Sequence, residues 1–109
     1  MTDCIFCKII KKEIPAQIRY EDEDLIAFDD INPQAPVHIL LLPKKHISSL
    51  VELNDQILAG KLLLVAKKVA KEAGLDNFRV VTNSGEEAGQ TVSHLHFHIL
   101  GGKRLGHIA

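Results

Sequence analysis

The sequence predicts an α+β domain of roughly five strands, mostly hairpin-connected, with one short and one long helix. Short β-rich apolar runs recur along the chain, each ended by proline, glycine or an acidic turn. Only one stretch, residues 54–74, repeats apolar side chains at helical spacing for several turns. The chain has 109 residues, 46% of them apolar, which suits one domain spanning 1–109 around a core that needs no disulfide staples.

Each element has a local reason. In residues 4–12, Ile5, Phe6, Ile9 and Ile10 are spaced for one to three helical turns, and Pro15 closes the segment. Runs 18–21 and 25–28 flank the acidic Asp22-Glu23-Asp24 and read as a β-hairpin. Residues 32–36 form a proline-punctuated loop, and 37–42 read as a buried strand ended by Pro43. In the long helix, Asn54 or Asp55 can cap the free amides, and Gly74 supplies the stop. Leu58, Leu62, Val65, Ala66, Val69 and Ala73 make its apolar face, while Lys61, Lys67, Lys68, Lys71 and Glu72 line the opposite one. Leu64 falls inside that polar stripe, either as an isolated exposed leucine or as a subunit contact. Runs 78–83 and 94–100 are two further strands, joined by a glycine-containing loop, 84–93.

Charge and hydropathy exclude several roles. Thirteen Lys and Arg against 14 Asp and Glu give a net charge of −1, so no direct nucleic-acid binding is expected. The longest apolar run, Leu62-Leu63-Leu64-Val65-Ala66, is far below the roughly 20 residues that span a bilayer. The opening Met1-Thr2-Asp3-Cys4 lacks basic and apolar signal regions, so a cytoplasmic protein is expected. Cys4 and Cys7 then form half of a metal site or two small hydrophobes under a short helix.

Six histidines are the conspicuous count. His94, His96 and His98 alternate with Leu95, Phe97 and Ile99, so a strand puts the three imidazoles on one face and the apolar residues in the core. Packing gives no reason for that pattern. A single ion shared by all three fits poorly, because alternate residues on a strand lie nearly 7 Å apart, and the segment contains no carboxylate. Nucleophilic catalysis fits better, with the central His96 flanked by two imidazoles that can orient it. The preceding loop, with Gly85 and Gly89 and several amide and hydroxyl groups, suits a phosphate cradle in which the Gly89 and Gln90 amides aim at anionic oxygens. Its plain alternative is an ordinary hairpin loop.

The stretch Gly89-Gln90-Thr91-Val92-Ser93-His94-Leu95-His96-Phe97-His98-Ile99-Leu100 resembles the signature of the histidine triad (HIT) superfamily, with all seven H-φ-H-φ-H-φ-φ positions matched. The resemblance extends to Asp3-Cys4-Ile5-Phe6-Cys7, Asp30-Ile31-Asn32-Pro33-Gln34-Ala35-Pro36 and Pro43-Lys44-Lys45-His46-Ile47. Its nearest branch is the Hint group of purine nucleoside phosphoramidases. The resemblance implies a HIT-like fold, a homodimer whose two five-stranded sheets join into one of ten strands, and a purine nucleotide site in each subunit. It further implies that His96 attacks the α-phosphorus of a nucleoside 5′-phosphoramidate, giving a nucleotidyl-histidine that water then cleaves. His98, Asn83, Gly89, Gln90 and Thr91 would hold the phosphate, Asp30 the ribose hydroxyls, and Phe28 and Ile31 would wall the purine. His38 would share in proton transfer, its plain alternative being a satisfied histidine in a buried strand.

The same resemblance gives the cysteines partners. Cys4, Cys7, His46 and His94 would form a closed tetrahedral zinc site of the structural kind. The chain departs from animal Hint proteins in lacking any Trp, so their tail-dependent leaving-group preference does not carry over. The alternatives are a dinucleoside-polyphosphate hydrolase and a nucleotide-binding regulatory module with incidental turnover. His107 receives no role.

Overall fold

The computed structural model describes residues 4–108. Met1 to Asp3 and Ala109 lie outside the described residues, and with them most of the segment from which a missing secretory signal is read. The elements are α1 (Ile5–Ile10), β1 (Ile18–Glu21), β2 (Leu25–Asp29), β3 (Val37–Pro43), α2 (Gln56–Glu72), β4 (Phe78–Val81) and β5 (Phe97–Gly101). Short 3-10 turns occupy Leu50–Glu52 and Glu86–Ala88. All five strands form one antiparallel sheet in the order β1-β2-β3-β5-β4, as expected for the α+β class.

The two faces of the sheet bury different cores. One face meets α2 through Leu62, Val65, Ala66 and Val69, which pack on Leu25, Ile39, Leu41 and Ile99. The other meets α1, with Phe6 and Ile9 against Ile26, Phe28, Leu40 and Leu42. Both faces of β2 and β3 are therefore covered, so Leu25–Phe28 and Ile39–Leu42 are buried as continuous runs. Full burial of a leucine such as Leu62 contributes about 2 kcal/mol.

Capping and turn chemistry set the boundaries. Asp55 is the N-cap of α2, its Oδ1 accepting from the Ile57 and Leu58 amides. Gly74 follows the helix at a positive φ of 86° that an L side chain rarely adopts. In the β1–β2 turn, Asp22 Oδ1 accepts from the Asp24 and Leu25 amides at 2.8 Å each. Lys61 reaches down from α2 to Asp22 and Asp24 at 3.0 and 2.9 Å. It ties helix to hairpin, so the polar stripe expected on the outer face of α2 begins beyond it.

The histidine segment departs most from expectation. Ladder pairing starts at Phe97, not at residue 94. Upstream of it, Leu95 N–H donates to the Ile47 carbonyl at 2.6 Å, and Thr82 Oγ1 donates to the His96 carbonyl at 2.7 Å. The 78–83 run likewise ends as a strand at Val81, which frees Thr82 for that bond. Alternation nevertheless continues through the irregular part. Leu95, Phe97 and Ile99 enter the α2 core, and the imidazoles of His94 and His96 meet Phe6 on the opposite side.

Candidate active site and metal centre

β3 and β5 bring the imidazoles together. Leu40 is paired with His98, and His38 with Leu100, so His38 and His98 lie diagonally on the face that carries α1. His38 Nε2 stands 2.9 Å from His98 Nδ1. The rings of His96 and His98 meet edge to face with centroids 5.1 Å apart. Asp30, in the loop after β2, places Oδ2 3.4 Å from His38 Nε2. The carboxylate missing from the histidine segment thus arrives from another part of the chain.

Main-chain partners fix each ring's proton. A carbonyl only accepts, so His96 Nδ1–H donates to the His94 carbonyl at 2.7 Å and leaves a lone pair on Nε2. By the same rule His94 Nε2–H donates to the Pro43 carbonyl at 2.8 Å, leaving the lone pair on Nδ1. The Gln34 amide donates to His38 Nδ1 at 2.9 Å, so the proton of His38 sits on Nε2 and faces His98 Nδ1. His98 therefore carries its proton on Nε2. A ring with a free nitrogen lone pair, His96, thus lies beside a ring bearing an N–H donor, His98. Burial lowers the pKa of His38, opposed by the Asp30 charge. Burial, with His96 and His38 alongside, pushes His98 down to about 4.

Cys4, Cys7, His46 and His94 converge so that one ligand atom of each lies within 4.8 Å of the others. Cys4 Sγ is 3.4 Å from His94 Nδ1, and Cys7 Sγ is 3.2 Å from His46 Nδ1. These donors fit a tetrahedral ion of the zinc type. His94 adds the usual outer support of a ligating imidazole, since its other nitrogen is held by a carbonyl. Burial makes its ring harder to protonate, so the Nδ1 lone pair stays free. Cys7, by contrast, is pushed up by burial and by Cys4, a cost that a bound cation offsets by favouring the thiolate. A second compact group, Asp30, His38 and His98, does not fit an ion. There the Gln34 amide commits the His38 lone pair to Nδ1, and Nε2 has none to give.

The remaining predicted residues are placed less uniformly. The Gly89 and Gln90 amides do not aim at an anion, because they donate to the Glu86 and Gly85 carbonyls within the loop. The Gln90 side chain is likewise a brace. Its Oε1 accepts from the Gly85 amide, and its Nε2 donates to the Ser48 and Val92 carbonyls. Asn83 packs beside Gly89, where an added Cβ would lie 3.7 Å from its amide. Thr91 opens with Ser48, Ser49 and Ser93 onto a cleft of about 440 Å³. Phe28 is only 3% exposed and packs edge to face on Phe6, so it cannot present a ring face to a base. Ile31, 88% exposed, is free to offer an apolar aliphatic surface instead. Two contributors escape sequence reading altogether, the Gln34 amide and the Thr82 hydroxyl.

A two-helix antiparallel sheet that delivers alternating imidazoles with fixed tautomers is suited to nucleophilic histidine chemistry. Comparison with known proteins identifies it further. The HIT domain profile matches residues 11–105. An uncharacterised HIT-like protein of Synechocystis is 58% identical over 104 residues, covering 93% of this chain and 91% of that one. A HIT family hydrolase from Clostridium thermocellum superposes with a TM-score of 0.93 at 48% identity, covering 97% and 96% of the two chains. A histidine triad nucleotide-binding protein from Candida albicans gives 0.84 at 35% identity, covering 98% and 86%. The chain belongs to the HIT domain family and is hydrolase-like. No helix among the described residues is long and apolar enough to cross a membrane.

Proposed function

We propose that the protein hydrolyses purine nucleoside 5′-phosphoramidates as a member of the Hint branch. The observation that carries the reading is the His96 Nδ1–H bond to the His94 carbonyl, which leaves Nε2 free to attack. In the first step His96 Nε2 bonds to phosphorus as the P–N bond breaks, and the amine leaves neutral from the N-protonated phosphoramidate. In the second, water attacks phosphorus, the P–Nε2 bond breaks, and a proton passes to solvent. The His98 Nε2–H would stabilise the phosphoryl oxygens, with Asn83 and Thr91 at the same rim, while Gly89 and Gln90 would shape the loop without donating to the phosphate. Asp30 and Ile31 would meet the nucleoside, with Phe28 supporting from the core. Zinc held by Cys4, Cys7, His46 and His94 would supply a structural tie. The domain, taken as 1–109, would act in the cytoplasm.

The expected result is a kcat/KM for adenosine 5′-phosphoramidate at least about tenfold above that for a diadenosine polyphosphate, or a difference of about 1.4 kcal/mol. Paired assays of AMP release decide this. Faster polyphosphate cleavage would move the protein to the dinucleoside-polyphosphate hydrolases, and no turnover of either would favour a regulatory binding module.

The proposal includes a homodimer. β4 is an edge strand whose outer backbone groups have no partner strand among the described residues. On α2, Leu64 is 64% exposed beside the exposed Leu63, so it is not an isolated surface leucine. Sedimentation equilibrium should return twice the chain mass, and Leu64→Glu should shift the protein toward monomer. A wild-type monomer at micromolar concentration would count against the joined ten-stranded sheet.

A further inference from the structure

We infer that His38 is a positioning residue, a fixed hydrogen-bond donor held by the Gln34 main chain, and not a proton carrier. The inference builds on the phosphoramidase reading and alters how the histidine pair works within it.

A relay through two imidazoles needs each ring to accept a proton on one nitrogen and release one from the other. His38 is denied that exchange. Its Nδ1 accepts the Gln34 amide at 2.9 Å, and a peptide N–H cannot withdraw its proton to make room for another. Passing the Nε2 proton to His98 would leave His38 as an imidazolate in a buried position, with the Asp30 carboxylate 3.4 Å away disfavouring a second negative charge. Asp30 is itself held within the same loop, its Oδ1 accepting from the Asn32 amide at 2.8 Å. The loop between β2 and β3 thus closes the Nδ1 end of the relay.

What His38 does instead follows from its remaining bond. Its Nε2–H donates to His98 Nδ1 at 2.9 Å, which requires the Nε2–H tautomer of His98. That tautomer presents a donor from His98, while the His94 carbonyl holds the neighbouring His96 in the opposite tautomer as an acceptor. Donor and lone pair are thereby fixed before any substrate arrives, as preorganised stabilisation requires. Both are set by main-chain groups, Gln34 N–H and His94 C=O.

Long-range proton–nitrogen NMR of the full-length wild-type protein at neutral pH tests the tautomers directly. His38 should show a bare Nδ1 and a protonated Nε2, and His98 a bare Nδ1. A protonated Nδ1 on His38 would overturn the inference. Kinetics on adenosine 5′-phosphoramidate give a second arm. His38→Gln keeps a donor but cannot relay a proton, and its kcat should stay within about fivefold of wild type, whereas His38→Leu should lose on the order of a hundredfold with KM little changed. Equal losses in the two variants would restore the relay. The NMR arm needs no substrate, so a wrong substrate class and a wrong role for His38 give different results.

Discussion

Replacing His96 by alanine is expected to lower turnover of adenosine 5′-phosphoramidate by at least about a thousandfold, a loss of about 4 kcal/mol of transition-state stabilisation. The size follows from position. The neighbouring imidazoles offer no substitute, since His38 commits its lone pair to Gln34, His98 commits its own to His38, and the Nδ1 of His94 faces Cys4, Cys7 and His46. Without Nε2, direct attack by water must replace a two-step displacement. His96 is 6% exposed, so removing it takes little surface from a bound nucleotide, and AMP affinity should hold within a few-fold. Intact-mass measurement after an alkaline quench supplies an independent readout. Wild-type protein mixed with substrate should gain the mass of one nucleotidyl group, and the alanine variant should not. Turnover near wild type in that variant would remove His96 as nucleophile. Loss of AMP binding in parallel with loss of turnover would point instead to a collapsed site, which the circular dichroism of the variant would reveal.

Much of this arrangement is legible in the sequence. The alternation of His94, His96 and His98 with Leu95, Phe97 and Ile99 places two sets of side chains on opposite sides, and they lie there. The buried run ended by Pro43 and the Asp55-capped helix also fall where spacing puts them, within one or two residues. Sequence periodicity, however, reports side-chain direction and not which group satisfies each backbone amide. That is why the pattern predicts a strand from residue 94 while pairing starts at Phe97. The Leu95 amide goes to Ile47 and the His96 carbonyl to Thr82, bonds between segments distant in sequence that no local pattern encodes. The loop 84–93 misled for the same reason. Gly89 and Gln90 look like a cradle by composition, yet the Gly85 and Glu86 carbonyls take their amides, and the Gln90 side chain braces the loop against Ser48. Phe28 is a different case. Its role as a purine wall comes from the family resemblance alone, and α1 covers its ring with Phe6.

Stripping metal from the Cys4, Cys7, His46 and His94 group is expected to have the largest effect on stability. Wild-type protein should carry about one zinc per chain by elemental analysis, and Cys4→Ser with Cys7→Ser should carry almost none. Ligand linkage sets the scale. An ion bound a thousandfold below its free concentration adds about 4 kcal/mol to unfolding, so the double variant should melt many degrees lower. α1 is where the loss should be felt first. It has six residues, too few to hold helical structure alone, and its Cys4 Sγ both caps the Cys7 amide and faces His94. Freed from the ion, the helix would be held mainly by Phe6 and Ile9 in the smaller core. Phe6 also packs edge-on against His96 with ring centroids 5.0 Å apart, and the His94 carbonyl sets the His96 tautomer. The Cys4, Cys7, His46 and His94 group and the proposed nucleophile His96 therefore share both a wall and a peptide group, so the double variant should lose turnover at temperatures where its sheet is still folded. Hydrogen exchange should show α1 opening before β3 and β5. A variant with unchanged zinc content would end the metal proposal, and one that lost zinc yet kept wild-type melting and turnover would remove its coupling to the site.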